Sequence, residues 1–141
     1  MQHGNEYLET RVMTATPQEL HMMVVDGAVR FAMQAEESMA VDDLETSHLA
    51  LNRSREFVVE LISGLDQDSK EAVVEQLRQV FGFVYRSLTE ADLEHDIEKV
   101  RGALKVLNIH RDNWGELIAK LKLEQGSEAT KEQTEARSWA S

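Results

Sequence analysis

The 141-residue chain contains no cysteine. That excludes a disulfide framework, a thiolate metal site and a cysteine nucleophile. It has one proline, Pro17, and only 7 glycines. A β-rich fold needs turn residues about every 8–12 positions, so the shortage of breakers points to long helices. No stretch approaches the roughly 18 uninterrupted apolar residues of a membrane span. The opening MQHGNEYLETR lacks an apolar run after a basic start, so it does not read as a secretory signal, and the cytoplasm is the expected location. Basic residues are scarce: 15 Lys and Arg stand against 26 Asp and Glu, a formal charge of −11. Phosphate backbones and anionic lipid repel such a chain, so neither nucleic acid nor direct membrane insertion is expected. The simplest role of the acidity is solubility.

What is present fits one globular domain. Hydrophobic residues make up 42% and charged residues 29% of the chain, enough to build a core without a metal or disulfide. Residues 1–15 are mixed, with apolar Tyr7, Leu8, Val12 and Met13, and are expected to form a short arm or helix. The first clear helix opens at Thr16-Pro17-Gln18-Glu19: a hydroxyl N-cap, a proline where its missing N–H costs nothing, and a carboxylate in the capping-box position. Leu20, Val24, Gly27, Ala28, Phe31 and Ala35 follow at helical spacing, out to about Ala40. Asp42 or Asp43 caps a second helix, with Leu44, His48, Leu51, Arg55, Val58 and Ile62 on one stripe and Gly64 at its end. A third opens at Asp68-Ser69-Lys70-Glu71 and carries Val73, Leu77, Val80, Phe81, Val84 and Leu88. The fourth begins near Asp96, and its Ile97, Val100, Leu104, Leu107, Arg111, Trp114, Ile118 and Leu121 form a heptad-like seam. Similar lengths and short connections predict an all-α, antiparallel four-helix bundle over residues 16–123. Residues 124–141 have no apolar period and are expected to be a disordered tail.

Motifs that carry chemistry are few. Glu45-x-x-His48 has the spacing of a helical metal ligand pair, but a di-iron bundle needs that motif twice, with two further inward carboxylates. Asp92-x-x-His95 is the nearest echo and is expected to lie in or beside a loop. His48 on a bundle also suggests a phosphotransfer domain, yet Leu51 and Asn52 stand where that family has Lys and Gly. Neither a phosphate-cradling glycine loop nor a G-x-S-x-G elbow occurs. No catalytic residue, metal or cofactor is therefore expected, and the protein reads as a non-enzyme.

The first clear helix has more apolar surface than one packed face requires. At 100° per residue, Met22, Val25, Val29 and Met33 form a second stripe well away from Leu20, Val24, Gly27 and Phe31. Phe57 and Leu61 lie similarly off the main stripe of the second helix. A helix wedged between two neighbours would show this wide arc. So would a helix lining a groove that receives another chain's amphipathic segment, with the Tyr7–Met13 arm as its cover.

The pattern Tyr7, Val12, Thr14-Ala15-Thr16-Pro17, Glu19-Leu20, Met23, Asp26-Gly27-Ala28, Arg30-Phe31 resembles the opening of the flagellar secretion chaperone FliS family. The similarity continues through Glu60-Leu61, Ser63 and Leu65-Asp66, then Tyr85-Arg86, Leu88 and Glu90-Ala91, and then Arg111-Asp112 and Trp114. It spans most of residues 7–120. The resemblance implies a four-helix bundle that binds the C-terminal segment of flagellin in the cytoplasm, blocks its premature polymerisation and assists its secretion. It also implies an export-gate component as a second candidate partner. One departure stands out: the family commonly has Leu-Tyr before Asp-Gly, and here those positions are Val24-Val25.

The residues expected to contact the partner are Tyr7, Val12, Met22, Val25, Val29, Met33, Phe57 and Leu61. Gly27 is expected to admit a close helix neighbour, Asp26 and Arg30 to form an i,i+4 ion pair, Arg111 to find a carboxylate or reach the rim, and Trp114 to pack inward. The other class this pattern admits is a generic helical-bundle interaction or signalling module with no flagellin partner.

Overall fold

The protein's computed structural model describes residues 2–140, with all side chains except those at positions 2–5, 7, 12, 129 and 137–140. Five helices follow in order: α1 (Gln2–Thr14), α2 (Pro17–Ala40), α3 (Leu44–Ser63), α4 (Ala72–Glu94) and α5 (Ile97–Ala140), with no strand among the described residues. The helix starts follow the side-chain chemistry. Thr16 Oγ1 accepts the Glu19 N–H at 3.1 Å, with Pro17 in the first position of α2. Asp43 Oδ1 accepts the Thr46 N–H at 3.2 Å to open α3. The third bundle helix starts slightly later than expected. Asp66 Oδ1 and Ser69 Oγ hold the N–H groups of Asp68 and Glu71 in turns, and α4 then begins at Ala72 without a side-chain cap.

The helix ends obey a different rule from the expected one. Gly64 does terminate α3, but in right-handed geometry at φ −74°. The two left-handed residues are Asp42 (φ 57°) and His95 (φ 54°). Asp and His tolerate that conformation better than most side chains do. Each sits in a connection too short for a gradual reversal, Val41–Asp43 and His95–Asp96.

Those tight reversals make consecutive helices antiparallel. α2 packs on α3 and α5, and α4 packs on α3 and α5, closing a ring of four. The cross-links run in antiparallel register: Ser54 with Ala28, His48 with Asp92, Lys99 with Glu90, and Arg101 with Glu36. Phe81, Leu51, Leu88, Leu107, Val25, Val58, Val84 and Val100 are fully buried at the centre. Burying each such side chain stabilises the fold by about 1.5–3 kcal/mol. Arg55 and His48 of α3 both reach the Asp92 carboxylate of α4 at 2.8 Å. The Arg55–Asp92 pair is largely desolvated and pins that seam.

Two segments lie outside the ring. Residues 2–14 form helix α1, which packs only lightly and leaves Leu8 and Met13 exposed. The expected disordered tail differs in structure: residues 124–140 continue α5, whose 44 residues reach about 66 Å at 1.5 Å per residue. Extending an existing helix avoids the nucleation cost, and Glu, Gln, Ala and Lys are good helix formers. Thr130 and Thr134 bond back to the carbonyls one turn earlier. The missing apolar period still shows, because every described side chain from Lys122 to Ala136 is exposed. None of the described helices is long and apolar enough to cross a membrane.

Candidate functional site

The expected second stripe on α2 is not a surface. Val25 is 0% exposed and Val29 2%, and both belong to the core. The reason is topological: α2 is wedged between α3 and α5, so an apolar arc wide enough for two neighbours is consumed by packing. Leu61, at 3%, is core for the same reason on α3. These three are corrections to the contact set read from the sequence. Met22 is half-buried, and its methyl group fills the space beside Gly115 of α5. Phe57 is half-buried too, its ring stacked on Phe31 with centroids 5.8 Å apart. Met33 alone of the stripe is open, at 48%. Tyr7 and Val12 lie on the backbone of α1, and their side chains fall outside the described set.

Gly27 does what its place on the stripe suggested. A Cβ there would lie 2.7–2.9 Å from the Phe57 ring, so only hydrogen fits without displacing that ring. Asp26 does not pair with Arg30. It faces Arg111 across the α2–α5 seam at 3.7 Å, which supplies the carboxylate expected for Arg111, while Arg30 lies over the Phe31 ring at 5.1 Å. Trp114 turns inward, donating its indole N–H to the Gln18 carbonyl at 2.9 Å.

Two of the surface grooves are wide enough to bear on partner binding. One, of about 800 Å3, runs along α2 and α5 between Asp26, Val29, Arg30, Met33, Gln34, Glu37 and Arg111. Its walls are mostly charged, and Met33 is the accessible apolar group. The other, of about 450 Å3, lies between α4 and α5 and is lined by Gln76, Gln79, Val80, Phe83 and Val106. It carries no charged side chain in a chain that is 29% charged. Phe83 is 44% exposed, and Val73, Ile109 and Leu117 continue the apolar surface at helical spacing from Val80 and Val106. Gly102, one turn before Val106, has open space where a side chain would be. The sequence held the signal for this groove: on α4, Val73, Val80 and Phe83 repeat at steps of seven and three, beside a core stripe already complete in Leu77, Phe81, Val84 and Leu88.

His48 hydrogen-bonds Asp92 rather than sharing a ligand position with Glu45, and the described residues contain no group of three or more His, Asp or Glu side chains placed to hold a metal. The other notable cluster is His21 and His110, whose Nε2 atoms lie 2.8 Å apart beside Trp114 and Phe81.

A closed antiparallel bundle with open intergroove surfaces has the architecture of a helical protein-binding scaffold. Its family is explicit in the comparisons. The family described as "Flagellar protein FliS" matches residues 1–131, and the chain belongs to the FliS family. It is 25% identical over 112 residues to the flagellar secretion chaperone FliS of Bacillus subtilis, covering 79% of this chain and 83% of that one. Against the protein of that name from Escherichia coli it is 24% identical over 119 residues, covering 84% and 88%. A solved structure described as a flagellar chaperone from bacteria superposes with a TM-score of 0.68 at 15% identity, over 85% of this chain and 98% of that one. That likeness establishes the shared fold.

Proposed function

We propose that this protein is a cytoplasmic, non-catalytic export chaperone that binds the C-terminal segment of flagellin, holds it unpolymerised and hands it to the flagellar secretion apparatus, where an export-gate component is its second partner. Family membership supports the cargo. The observation that carries the site is the uncharged α4–α5 groove of Val80, Phe83 and Val106, flanked by exposed Val73 and Ile109. An unpaired polar cargo gains little from such walls, whereas an amphipathic helix buries its apolar face there with anchors at i, i+3 or i+4 and i+7. Gln76 and Gln79 provide side-chain donors and acceptors for polar groups at the edge of that helix. A cargo that folds as it binds must offset its ordering entropy, which calls for an extended apolar contact. The Met33 groove along α2 and α5 extends the surface available to a wrapping segment, and Met22 of α2 with Tyr7 and Val12 of α1 are taken as further contacts. Removing catalysis from the picture costs nothing, because the role requires only binding and release.

Isothermal titration with a flagellin C-terminal peptide tests this reading. Wild type should bind, and Phe83→Asp should weaken binding by at least about tenfold, the equivalent of 1.4 kcal/mol, because a carboxylate would be desolvated in the groove. Undetectable binding to wild type would sink the flagellin assignment. Unchanged binding by the variant would move the site away from α4 and α5.

A further inference from the structure

His21 and His110 are a pair that chaperoning as proposed does not require. They come from different helices and meet edge-on, with ring centroids 5.1 Å apart at 77° and Nε2 atoms 2.8 Å apart. Trp114 covers His21 at 4.2 Å, and Phe81 of α4 meets the edge of His110 at 5.0 Å. At that nitrogen separation one ring donates an Nε2–H and the other offers a bare Nε2 lone pair. A first proton can enter at the far nitrogen of the donor ring and leave the bond intact. A second has to occupy the shared lone pair, so it replaces the bond with two cations in contact. We propose that the His21–His110 pair is a proton-operated latch on the α2–α5 seam, closed while the shared lone pair is free and opened when both rings are protonated.

The surroundings offer the doubly charged state no compensation. Neither imidazole hydrogen-bonds a carboxylate. From α3, Glu60 borders the same surface cavity as His21 but makes no bond to it. From α4 the neighbour is the Phe81 ring, and Arg78, one turn earlier, is committed to Glu75 and the Asp66 carbonyl. On α5 and α2 the nearby charges are Arg111 and Asp26, which face each other, and Glu19 at the mouth of a separate cavity. Trp114 also holds the Gln18 carbonyl at the start of α2, so opening the seam frees the first turns of α2, and with them the attachment of α1.

The direction of the pH response follows. Burial, and then the charge of His110, lower the pKa of His21 to about 4, and burial lowers that of His110. The unfolded chain, with imidazoles near 6.5, therefore binds more protons than the folded one below that pH. Stability contributed by the pair is complete above about 6.5 and declines as the pH falls toward 4. The latch is a property of the bundle itself and does not depend on which cargo is carried.

Imidazole NMR on the wild-type protein follows each ring directly. His21 and His110 should titrate below the ordinary imidazole value of 6.5, and over that same range the protection of amides 18–24, corrected for intrinsic exchange, should drop by at least about tenfold. In a Trp139→Phe background, the Trp114 emission should change in step. The pair His21→Gln with His110→Gln cannot charge, and should show neither the drop nor the emission step. Titration of His21 and His110 at or above 6.5, or the same acid-induced loss of protection in the double glutamine variant, would overturn the proposal. If that variant does not fold, the wild-type titration and exchange profile decide by themselves: two low-titrating rings without a matching loss of protection at 18–24 also refute the latch.

Discussion

The α2–α3 and α4–α5 seams are built from the same number of helices and opposite kinds of side chain. At α2–α3, Gly27, Ala28, Ala32, Ala35, Ser47, Ala50 and Ser54 are all buried. Such small residues let the backbones approach until Ser54 Oγ donates to the Ala28 carbonyl at 2.7 Å, and Phe57 lies flat over Gly27. A small cavity stays open only at the end of this seam, between Leu20 and Val24 of α2 and Glu60 and Leu65. At α4–α5, Val80, Phe83 and Val106 hold the outer edges of the helices apart, and Gly102 faces open space. The comparison teaches that apolar content alone does not mark a binding face. Side-chain size at the seam decides whether that content is spent on closure or left as a groove.

The largest effect should come from charging the closed side. Val25→Asp places an unpaired carboxylate at a position with no solvent access, and should destabilise the fold by about 3–5 kcal/mol. A urea melt reads this directly. An unaltered midpoint would mean that α2 is not wedged between α3 and α5. Asp92→Ala should come next. It strands the largely buried Arg55 guanidinium and releases His48, at about 2–3 kcal/mol in the same assay. A loss no greater than that of an exposed ion pair, such as Arg53–Glu56, would show that the α3–α4 seam does not rely on it.

Smaller effects sharpen the contrast further. Ser54→Ala removes the one side-chain hydrogen bond that crosses the closed seam to backbone, leaving the Ala28 carbonyl with its helical partner, and should cost about 1 kcal/mol. Phe83→Asp, on the open seam, should shift the melt by less than about 1 kcal/mol because the ring is already half in water, while abolishing most of the peptide affinity. Stability lost in proportion to binding would make Phe83 a core residue and close the groove. Truncation after Leu123 should be smaller still: every described side chain of the α5 extension is exposed, so the melting temperature should change by no more than a degree or two.

Much of this molecule was legible in local chemistry. Thr16-Pro17 and Asp43 each announce a helix start through one oxygen and one backbone N–H, and those interactions need no tertiary partner. The α5 seam from Val100 to Leu107 is legible for a similar reason, since its period is a property of one helix. The candidate site was harder. Val25 and Phe83 are both apolar residues on amphipathic helices, and only the position of neighbouring helices makes one core and the other groove.

By itself the sequence determined four bundle helices, the caps at Thr16 and Asp43, the antiparallel order and most of each core stripe, because short-range hydrogen bonds and helical period are set within a few residues. The order extended to a family, carried by Thr16-Pro17 and Asp26-Gly27-Ala28 in their places along the chain. Tertiary structure decided the rest. It set α2 between two neighbours and so buried Val25, Val29 and Leu61. It brought Arg111 to Asp26 instead of leaving Asp26 to Arg30. It also set His21 against His110, 89 positions apart. Contacts between residues so distant depend on which helices the reversals at Asp42 and His95 lay side by side, and no periodicity within one helix encodes that choice.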